Sequence, residues 1–211
     1  MNQNQCSLAH VKLPRTCGGR TIQRRVLSPD QVRGIAGRLQ EPYASLALFL
    51  YVSGLRIGEA IAIQWSDFED GVLKVQRRIY NGEVDTVKTS RSERGLPLPE
   101  DLIARLRTLS NQGWVFQASN GAPLNPRNAL RRHVRPAAKA LGLEIGGWHD
   151  FRHSLTTRLR RDGAHPKVIS GVLGHSGVEL AMTTYDHVEV EDLRDPLRQM
   201  LLSVTKSEPV A

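Results

Sequence analysis

The feature that most constrains the fold is the apolar run YASLALFLYV, at residues 43–52. It is about half as long as the roughly 20 apolar residues that a membrane-spanning helix needs. As a helix it is apolar on nearly every side, and such a helix must be covered by other elements on every side. The run therefore predicts a central helix in a globular core.

The segments around this run predict mostly helices. Ser28 and Pro29 are typical of a helix N-cap and first turn, and apolar residues recur after them at helical spacing. Residues 71–98 differ, because their β-rich runs are separated by Asn81-Gly82, a pair typical of a β-hairpin. From residue 99 onward the helical patterns return. The predicted fold is mainly α with a small three-stranded antiparallel β-sheet (α+β), and Lys88 lies near the end of the second strand.

The segment GLRIGEAIAIQW, residues 54–65, predicts a third, buried helix with a cation at its start. The helix dipole is already positive at that end, so Arg56 is unfavourable there unless an anion approaches. Glu59 follows one turn later, where it can offset the charge of Arg56. The pattern indicates that this end of the helix faces an anionic ligand.

Positive charge is abundant and unevenly distributed. The net charge is +8, and 23 arginines outnumber 6 lysines, which favours bidentate contacts with phosphate. Residues 1–26 carry five cations and no acid, residues 121–163 carry nine cations and three acids, and residues 178–211 carry seven acids and three cations. This distribution indicates a nucleic-acid surface, although the solvated basic face of an unrelated enzyme has the same charge.

The N-terminal residues and the cysteines bear on where the chain acts. The first ten residues lack a secretory signal pattern, and the only two cysteines lie in a polar leader. A single pair of this kind is weak support for a disulfide, and a reducing compartment is the default. We therefore expect a cytoplasmic protein without a membrane span.

Six residues have the side-chain types that phosphoryl transfer uses. Each alone has an ordinary explanation, such as a helix cap, a strand-edge charge or a half-buried ring. Together, two guanidinium groups form a cradle for a tetrahedral phosphate, while a lysine and two histidines can transfer protons. One tyrosine can form a covalent ester with phosphorus. The six are Arg56, Lys88, His149, Arg152, His175 and Tyr185.

Competing chemistries lack their motifs. The sequence has no GxxxxGK[ST] or GxGxxG loop for nucleotides, and no HExxH or cysteine cluster for zinc. Asp67, Glu69 and Asp70 are predicted to be solvated loop acids, which are not the ligands of a two-metal nuclease. We therefore predict a reaction that uses no metal and no other cofactor.

Four segments, in this order, resemble the tyrosine recombinase (phage integrase) family: GLRIGEA, VKTSRSERGLPL, WHDFRHSLTTRL and VLGHSGVELAMTTYDHV. The resemblance implies the fold of that family's catalytic domain. It implies that Arg56 and Arg152 bind the scissile phosphate and that Lys88 is the general acid for the leaving 5′-hydroxyl. His149 and His175 match the two histidine positions, Tyr185 matches the nucleophile that forms a 3′-phosphotyrosyl link, and Glu59 matches an acidic position beside the site.

The resemblance also implies a domain organisation and partners. Residues 1–26 are expected to form a flexible basic arm, residues 27–190 the catalytic domain, and residues 191–211 a C-terminal helix and tail that docks on a neighbouring protomer. The alternative for the apolar stripe within residues 193–204 is packing on the chain's own core. The expected partner is double-stranded DNA, bound by four protomers in a synapse, with a monomer allowed when DNA is absent.

A basic helix within residues 127–135 is the candidate for contact with a DNA groove. Arginine contacts guanine edges as well as phosphates, and phosphate contact alone is an equal alternative. The four candidate residues are Arg127, Arg131, Arg132 and Arg135.

Two other functions stay open at this level. A type IB topoisomerase uses a similar set of residues but reseals the same strand, and a non-catalytic remnant of an integrase would only bind DNA. The resemblance also implies an N-terminal DNA-binding domain, whereas only about 26 residues precede the catalytic helices. We therefore expect a catalytic fragment or a truncated remnant that, alone, binds duplex DNA weakly.

Overall fold

The computed structural model describes residues 25–86, 94–174 and 189–205. Three of the predicted site residues, Lys88, His175 and Tyr185, lie outside the described residues. The helical pattern in VELAMTTYDHV, residues 178–188, lies outside them as well. None of the helices in the described ranges has the length and apolarity to cross a membrane.

Helices dominate the described part of the chain. A π-helical stretch at Leu130–Val134 joins α5 to α6, and two 3₁₀ helices occur at Trp65–Asp67 and Val190–Leu193. The α-helices are α1 (Pro29–Ala36), α2 (Tyr43–Ser53), α3 (Ile57–Ala60), α4 (Glu100–Arg107), α5 (Pro126–Ala129), α6 (Arg135–Lys139), α7 (His149–Arg161), α8 (Pro166–Leu173) and α9 (Arg194–Thr205). The strands are β1 (Phe68–Glu69), β2 (Val72–Val75), β3 (Arg77–Tyr80), β4 (Glu83–Thr86) and β5 (Arg94–Pro97). The predicted α+β class, mainly helical with a small antiparallel sheet, is confirmed.

Helix α2 is the centre of the core, as its composition predicts. Every residue from 44 to 53 is buried, and α2 contacts α1, α7 and α9. Helix α1 begins with the predicted cap: Gln31 N donates to Ser28 Oγ at 3.2 Å, and Ser28 N donates to Gln31 Oε1 at 2.9 Å. This reciprocal pair satisfies backbone donors that the first turn otherwise leaves unpaired.

The strands are divided differently from the prediction. The run at residues 71–80 was expected to be one strand of the three-stranded sheet, but it contains two strands, interrupted at Gln76. In the described residues, β2 pairs with β1 and β5 in the three-stranded sheet, whereas β3 and β4 form a separate antiparallel hairpin around the predicted Asn81-Gly82 turn. The pairing partners decide this division: β1 and β4 flank the run in sequence, whereas β5, the second partner of β2, follows about 20 residues later.

Hairpin β3–β4 is attached to α3 at a close backbone contact. A Cβ atom at Gly58 would lie 2.6 Å from the carbonyl oxygen of Ile79, so only glycine permits this approach. A bidentate ion pair fixes the same strand from the other side, with Arg77 Nη1 at 3.0 Å and Nη2 at 2.9 Å from the two carboxylate oxygens of Asp67. The hairpin that leads to Lys88 is therefore held firmly at its base.

Helix α9 packs on its own chain. Leu197, Met200, Leu201 and Val204 are buried, and the helix contacts α1 and α2. The stripe thus covers the chain's own core, and docking of residues 191–211 on a second protomer stays a prediction.

Candidate active site

The site begins where α2 ends. Gly54 caps α2 in the left-handed conformation, with φ of 63°, and the chain then turns into α3 at Arg56. The predicted third helix over residues 54–65 is wrong in length, because α3 spans only Ile57–Ala60. Residues 61–63 are buried in a turn instead of a helix, and apolar periodicity does not separate these two cases. A helix of four residues has only a small dipole. The expected binding of an anion near Arg56 therefore depends on the charges of the neighbouring side chains.

Arg56 and Glu59 form an ion pair across the first turn of α3. Arg56 Nη1 is 2.9 Å from Glu59 Oε1, and the backbone N–H of Arg56 donates to Glu59 Oε2 at 3.0 Å. The side chain of Glu59 is 5% exposed, whereas that of Arg56 is 48% exposed. The buried carboxylate therefore fixes one edge of the guanidinium, and the rest of the group faces solvent.

Arg152 is a buried cation that joins two helix ends. Its Nη1 donates to the carbonyl oxygen of Gly54 at the end of α2, and its Nη2 donates at 2.8 Å to that of Leu173 at the end of α8. Burial, reinforced by the charges of Arg56 and Arg94 and opposed by that of Glu59, lowers the pKa of Arg152 to about 10. The group stays charged at neutral pH, and a further anion beside it is favoured.

Arg94 belongs to this cluster although the sequence reasoning did not select it. It is the first residue of β5, its side chain is 9% exposed, and its Nη2 lies 3.0 Å from Glu59 Oε2. The signal that was available is its place inside the segment VKTSRSERGLPL, six residues after Lys88 and two residues before the buried Leu96. A polar residue at such a point is typical of a strand end, and only tertiary structure shows that this one meets Glu59.

The cluster carries an excess of positive charge. Three guanidinium groups surround one carboxylate, which leaves a formal surplus of two positive charges. Burial raises the pKa of Glu59, but the charge of Arg94 and the hydrogen bonds and charge of Arg56 outweigh burial, so the pKa lies below its ordinary value. Glu59 is therefore ionised at neutral pH. A dianion such as a phosphate in transfer matches the remaining charge.

His149 lies at the start of α7, one turn before Arg152. Its side chain is exposed, in contrast to the buried Arg152, so the two share a helix but differ in access to solvent. The start of α7 is held by neighbours of His149: Gly146 N donates to Asp150 Oδ2 at 2.7 Å, and Trp148 Nε1 donates to the carbonyl oxygen of Pro126 at 2.9 Å. These bonds place His149 at the surface at a fixed helix end.

The predicted groove-facing arginines lie on α5, the π-helical stretch and the start of α6. Arg127, Arg131, Arg132 and Arg135 are all exposed. Arg135 Nη2 also donates to the carbonyl oxygen of Gly146 at 2.8 Å, so it supports the loop before α7. Contact of these residues with DNA stays a prediction.

Asp67 is not the solvated loop acid that the sequence predicted. Its residue is 3% exposed, and its carboxylate accepts from Gln64 N at 2.8 Å and from Arg77. Asp67 ends the 3₁₀ helix Trp65–Asp67, where its carboxylate caps the backbone of Gln64, and Arg77 on β3 balances its charge. The described residues contain no group of three or more histidine, cysteine or acidic side chains arranged to hold a metal ion.

Comparison with known proteins identifies the family to which the chain belongs. The model of the phage integrase family matches residues 25–192, and the chain belongs to this family.

Individual relatives agree with the family. The chain is similar to a tyrosine recombinase XerC-like protein of Caldanaerobacter subterraneus subsp. tengcongensis, with 26% identity over 88% of this chain and 56% of that protein. In structure it is similar to the Tn1549 transposon integrase in complex with a circular intermediate DNA, with a TM-score of 0.65, 20% identity, and coverage of 85% of this chain and 67% of the other. It is also similar to lambda integrase in a tetramer bound to a Holliday junction, with a TM-score of 0.59, 21% identity, and coverage of 81% and 51%. The chain thus spans little more than half the length of the XerC-like relative.

Proposed function

We propose that this chain is the catalytic domain of a tyrosine recombinase that cleaves and rejoins double-stranded DNA. The observation that carries the proposal is the cluster of Arg56, Arg94 and Arg152 around the single buried carboxylate of Glu59. Its surplus charge suits a scissile phosphate, and its half-exposed member, Arg56, is accessible to a duplex. The relatives support the same substrate, because two of them are integrases described with bound DNA.

The proposed reaction is a transesterification with Tyr185 as nucleophile. The phenolic oxygen attacks phosphorus, the bond from phosphorus to the 5′-oxygen breaks, and Lys88 protonates the leaving 5′-oxygen. A 5′-hydroxyl of a second strand then attacks the 3′-phosphotyrosyl link, which restores the DNA backbone and releases the tyrosine. The phosphotyrosine conserves the ester bond, so neither ATP nor a metal is required. His149 and His175 donate hydrogen bonds or protons to the phosphate oxygens.

The proposal includes an assembly and a location. Four protomers exchange strands in a synapse on DNA, as the tetrameric lambda integrase complex suggests by analogy. The exposed Arg127, Arg131 and Arg132 contact the duplex beside the cleavage site, and the reaction takes place on DNA in the cytoplasm.

Trapping of the covalent intermediate tests this function directly. The substrate is a pool of duplexes randomised around a nick, placed so that cleavage releases a short 5′-hydroxyl fragment that diffuses away and prevents religation. Adducts that survive denaturation are recovered and their DNA is sequenced, which also identifies the preferred site. We expect adducts from the unmodified chain and none from Tyr185→Phe.

Tyr80→Phe is the matched control, because Tyr80 is an exposed phenol on hairpin β3–β4. It should form adducts as the unmodified chain does. Adducts that persist in Tyr185→Phe would contradict the nucleophile assignment. Relaxation of a supercoiled plasmid by a monomer, with no joining of strands from different duplexes, would indicate a topoisomerase instead.

A further inference from the structure

Arg94 makes contacts that no other cation of the described cluster makes. Its Nη2 contacts Glu59 Oε2, the oxygen that also accepts the backbone N–H of Arg56. Its Nε is buried and has no hydrogen-bond partner within residues 25–86, 94–174 and 189–205. The guanidinium is therefore largely removed from water, and Glu59 is its counter-charge in this part of the chain.

Arg94 also lies directly on the end of α8. A Cβ atom at Gly174 would be 2.5 Å from Arg94 Nη1 and 2.7 Å from Cζ, so the guanidinium rests on the backbone of this glycine. Gly174 is the C-cap of α8, and its N–H donates to the carbonyl oxygen of Ser170 at 2.8 Å. In sequence, Lys88 precedes Arg94 by six residues and His175 follows Gly174 directly. One side chain thus connects the strand after Lys88, the carboxylate beside Arg56 and the helix end before His175.

We propose that Arg94 is a positioning residue that holds the Glu59 carboxylate, and through it the Arg56 guanidinium, in the orientation that receives a DNA phosphate. The role rests on the proposed recombinase function. The Nη2 of Arg94 is engaged by Glu59 and its side chain is 9% exposed, whereas the side chain of Arg56 is 48% exposed and open to a phosphate. Without it, Glu59 has Arg56 as its one direct ion-pair partner in the described cluster, and Arg56 is drawn toward the protein and away from the substrate.

The charges around Glu59 predict that loss of Arg94 changes the pKa of Glu59, which can be measured. Within the described residues, Arg94 on β5 and Arg56 at the start of α3 lower the pKa of Glu59, and Arg152 on α7 is itself affected by the charge of Glu59. Arg94 is the largest of the influences that lower the pKa of Glu59, and burial acts in the opposite direction. Removal of Arg94 therefore raises this pKa, and Glu59 loses its hold on Arg56 at a higher pH than in the unmodified chain.

Two measurements on the whole chain test the role. The first is the titration of the Glu59 carboxyl carbon by NMR, which needs no DNA. The second is the rate of adduct formation on nicked duplex as a function of pH. The variants are Arg94→Met, which removes the charge, and Arg94→Lys, which keeps it. Arg105→Met is the matched control, since Arg105 forms its ion pair with Glu41 instead.

For Arg94→Met we expect the titration midpoint of Glu59 to move to higher pH and the acidic limb of the rate profile to move with it. The rate at neutral pH should fall by about a hundredfold, the effect of a misplacement of about 1 Å in a catalytic group. Arg94→Lys should restore the midpoint and most of the rate, and Arg105→Met should change neither.

Other results would overturn the role. A rate reduced equally at all pH values in Arg94→Met, or Arg94→Lys no better than Arg94→Met, would mean that Arg94 acts only on the fold. If the unmodified chain forms no adduct, the recombinase function fails by that result alone. The NMR titration still tests the contact between Arg94 and Glu59, on which the role depends. An unchanged titration midpoint of Glu59 in Arg94→Met would refute the role.

Discussion

Substitution of Gly54 by alanine should destabilise the chain more than the same substitution at a helix C-cap glycine that has open space around it. Gly54 has φ of 63°, and a Cβ atom there would lie 2.5 Å from Leu155 Cδ2 and 3.1 Å from Leu173 Cδ2. Both neighbours are buried core residues that have little room to move. The variant therefore combines backbone strain with overpacking at the point where α2, α7 and α8 meet.

The two contributions can be separated. The left-handed conformation costs an alanine about 1–2 kcal/mol. Insertion of a methyl group into a close-packed core costs about 1–3 kcal/mol. We expect Gly54→Ala to lower the free energy of unfolding by about 2–5 kcal/mol, a large part of the roughly 5–15 kcal/mol that a domain possesses.

Gly142→Ala is the matched control. Gly142 has φ of 69°, but a Cβ atom there meets nothing within 4 Å, so its replacement carries the strain without the crowding. Urea unfolding followed by circular dichroism should give a loss of about 1–2 kcal/mol for Gly142→Ala. Equal losses in the two variants would refute the crowding argument. The carbonyl of Gly54 accepts from Arg152, so Gly54→Ala should also slow adduct formation, whereas Gly142→Ala should not.

Three further predictions concern charges. Arg56→Ala should cost at most about 1 kcal/mol of stability, because Arg56 is half exposed and Arg94 still pairs with Glu59. Arg152→Met leaves two buried carbonyls without their donor and should cost about 2–6 kcal/mol, and urea unfolding compares the two variants. In the folded chain the pKa of Glu59 lies below its ordinary value of 4.5. The ionised carboxylate therefore contributes its full stabilisation above pH 4.5, and this stabilisation is lost as the pH falls through the folded-state pKa. The unfolding midpoints of the unmodified chain and of Glu59→Gln should converge in acid. Arg77→Met leaves the buried Asp67 charge unpaired and should cost about 3–5 kcal/mol, and Asp67→Asn in the same background should recover part of this loss in thermal unfolding.

The sequence by itself determined most of the elements and the family. An apolar run without a polar side must be surrounded, so α2 was predictable as the central helix. Ser28 and Pro29 marked the start of α1, and Asn81-Gly82 marked a hairpin, because these residues act through local backbone geometry. The spacing of Arg56 and Glu59 on one turn was enough to predict their proximity.

The tertiary structure decided what depends on contacts between distant segments. It shortened α3 to four residues, because the apolar residues after Ala60 are buried by the core in a turn and not by a helix face. It separated β3–β4 from the sheet of β1, β2 and β5, because register depends on the partner strand.

It also buried Asp67 against Arg77 and brought Arg94 to Glu59 across 35 positions of sequence. This pairing depends on where β5 lies in the fold, because Arg94 on β5 reaches Glu59 of α3 and also lies against Gly174 at the end of α8, and no local pattern encodes it. The cluster around Glu59 was therefore recognisable from sequence in two of its cations, whereas its third cation and its charge balance became visible only in the fold.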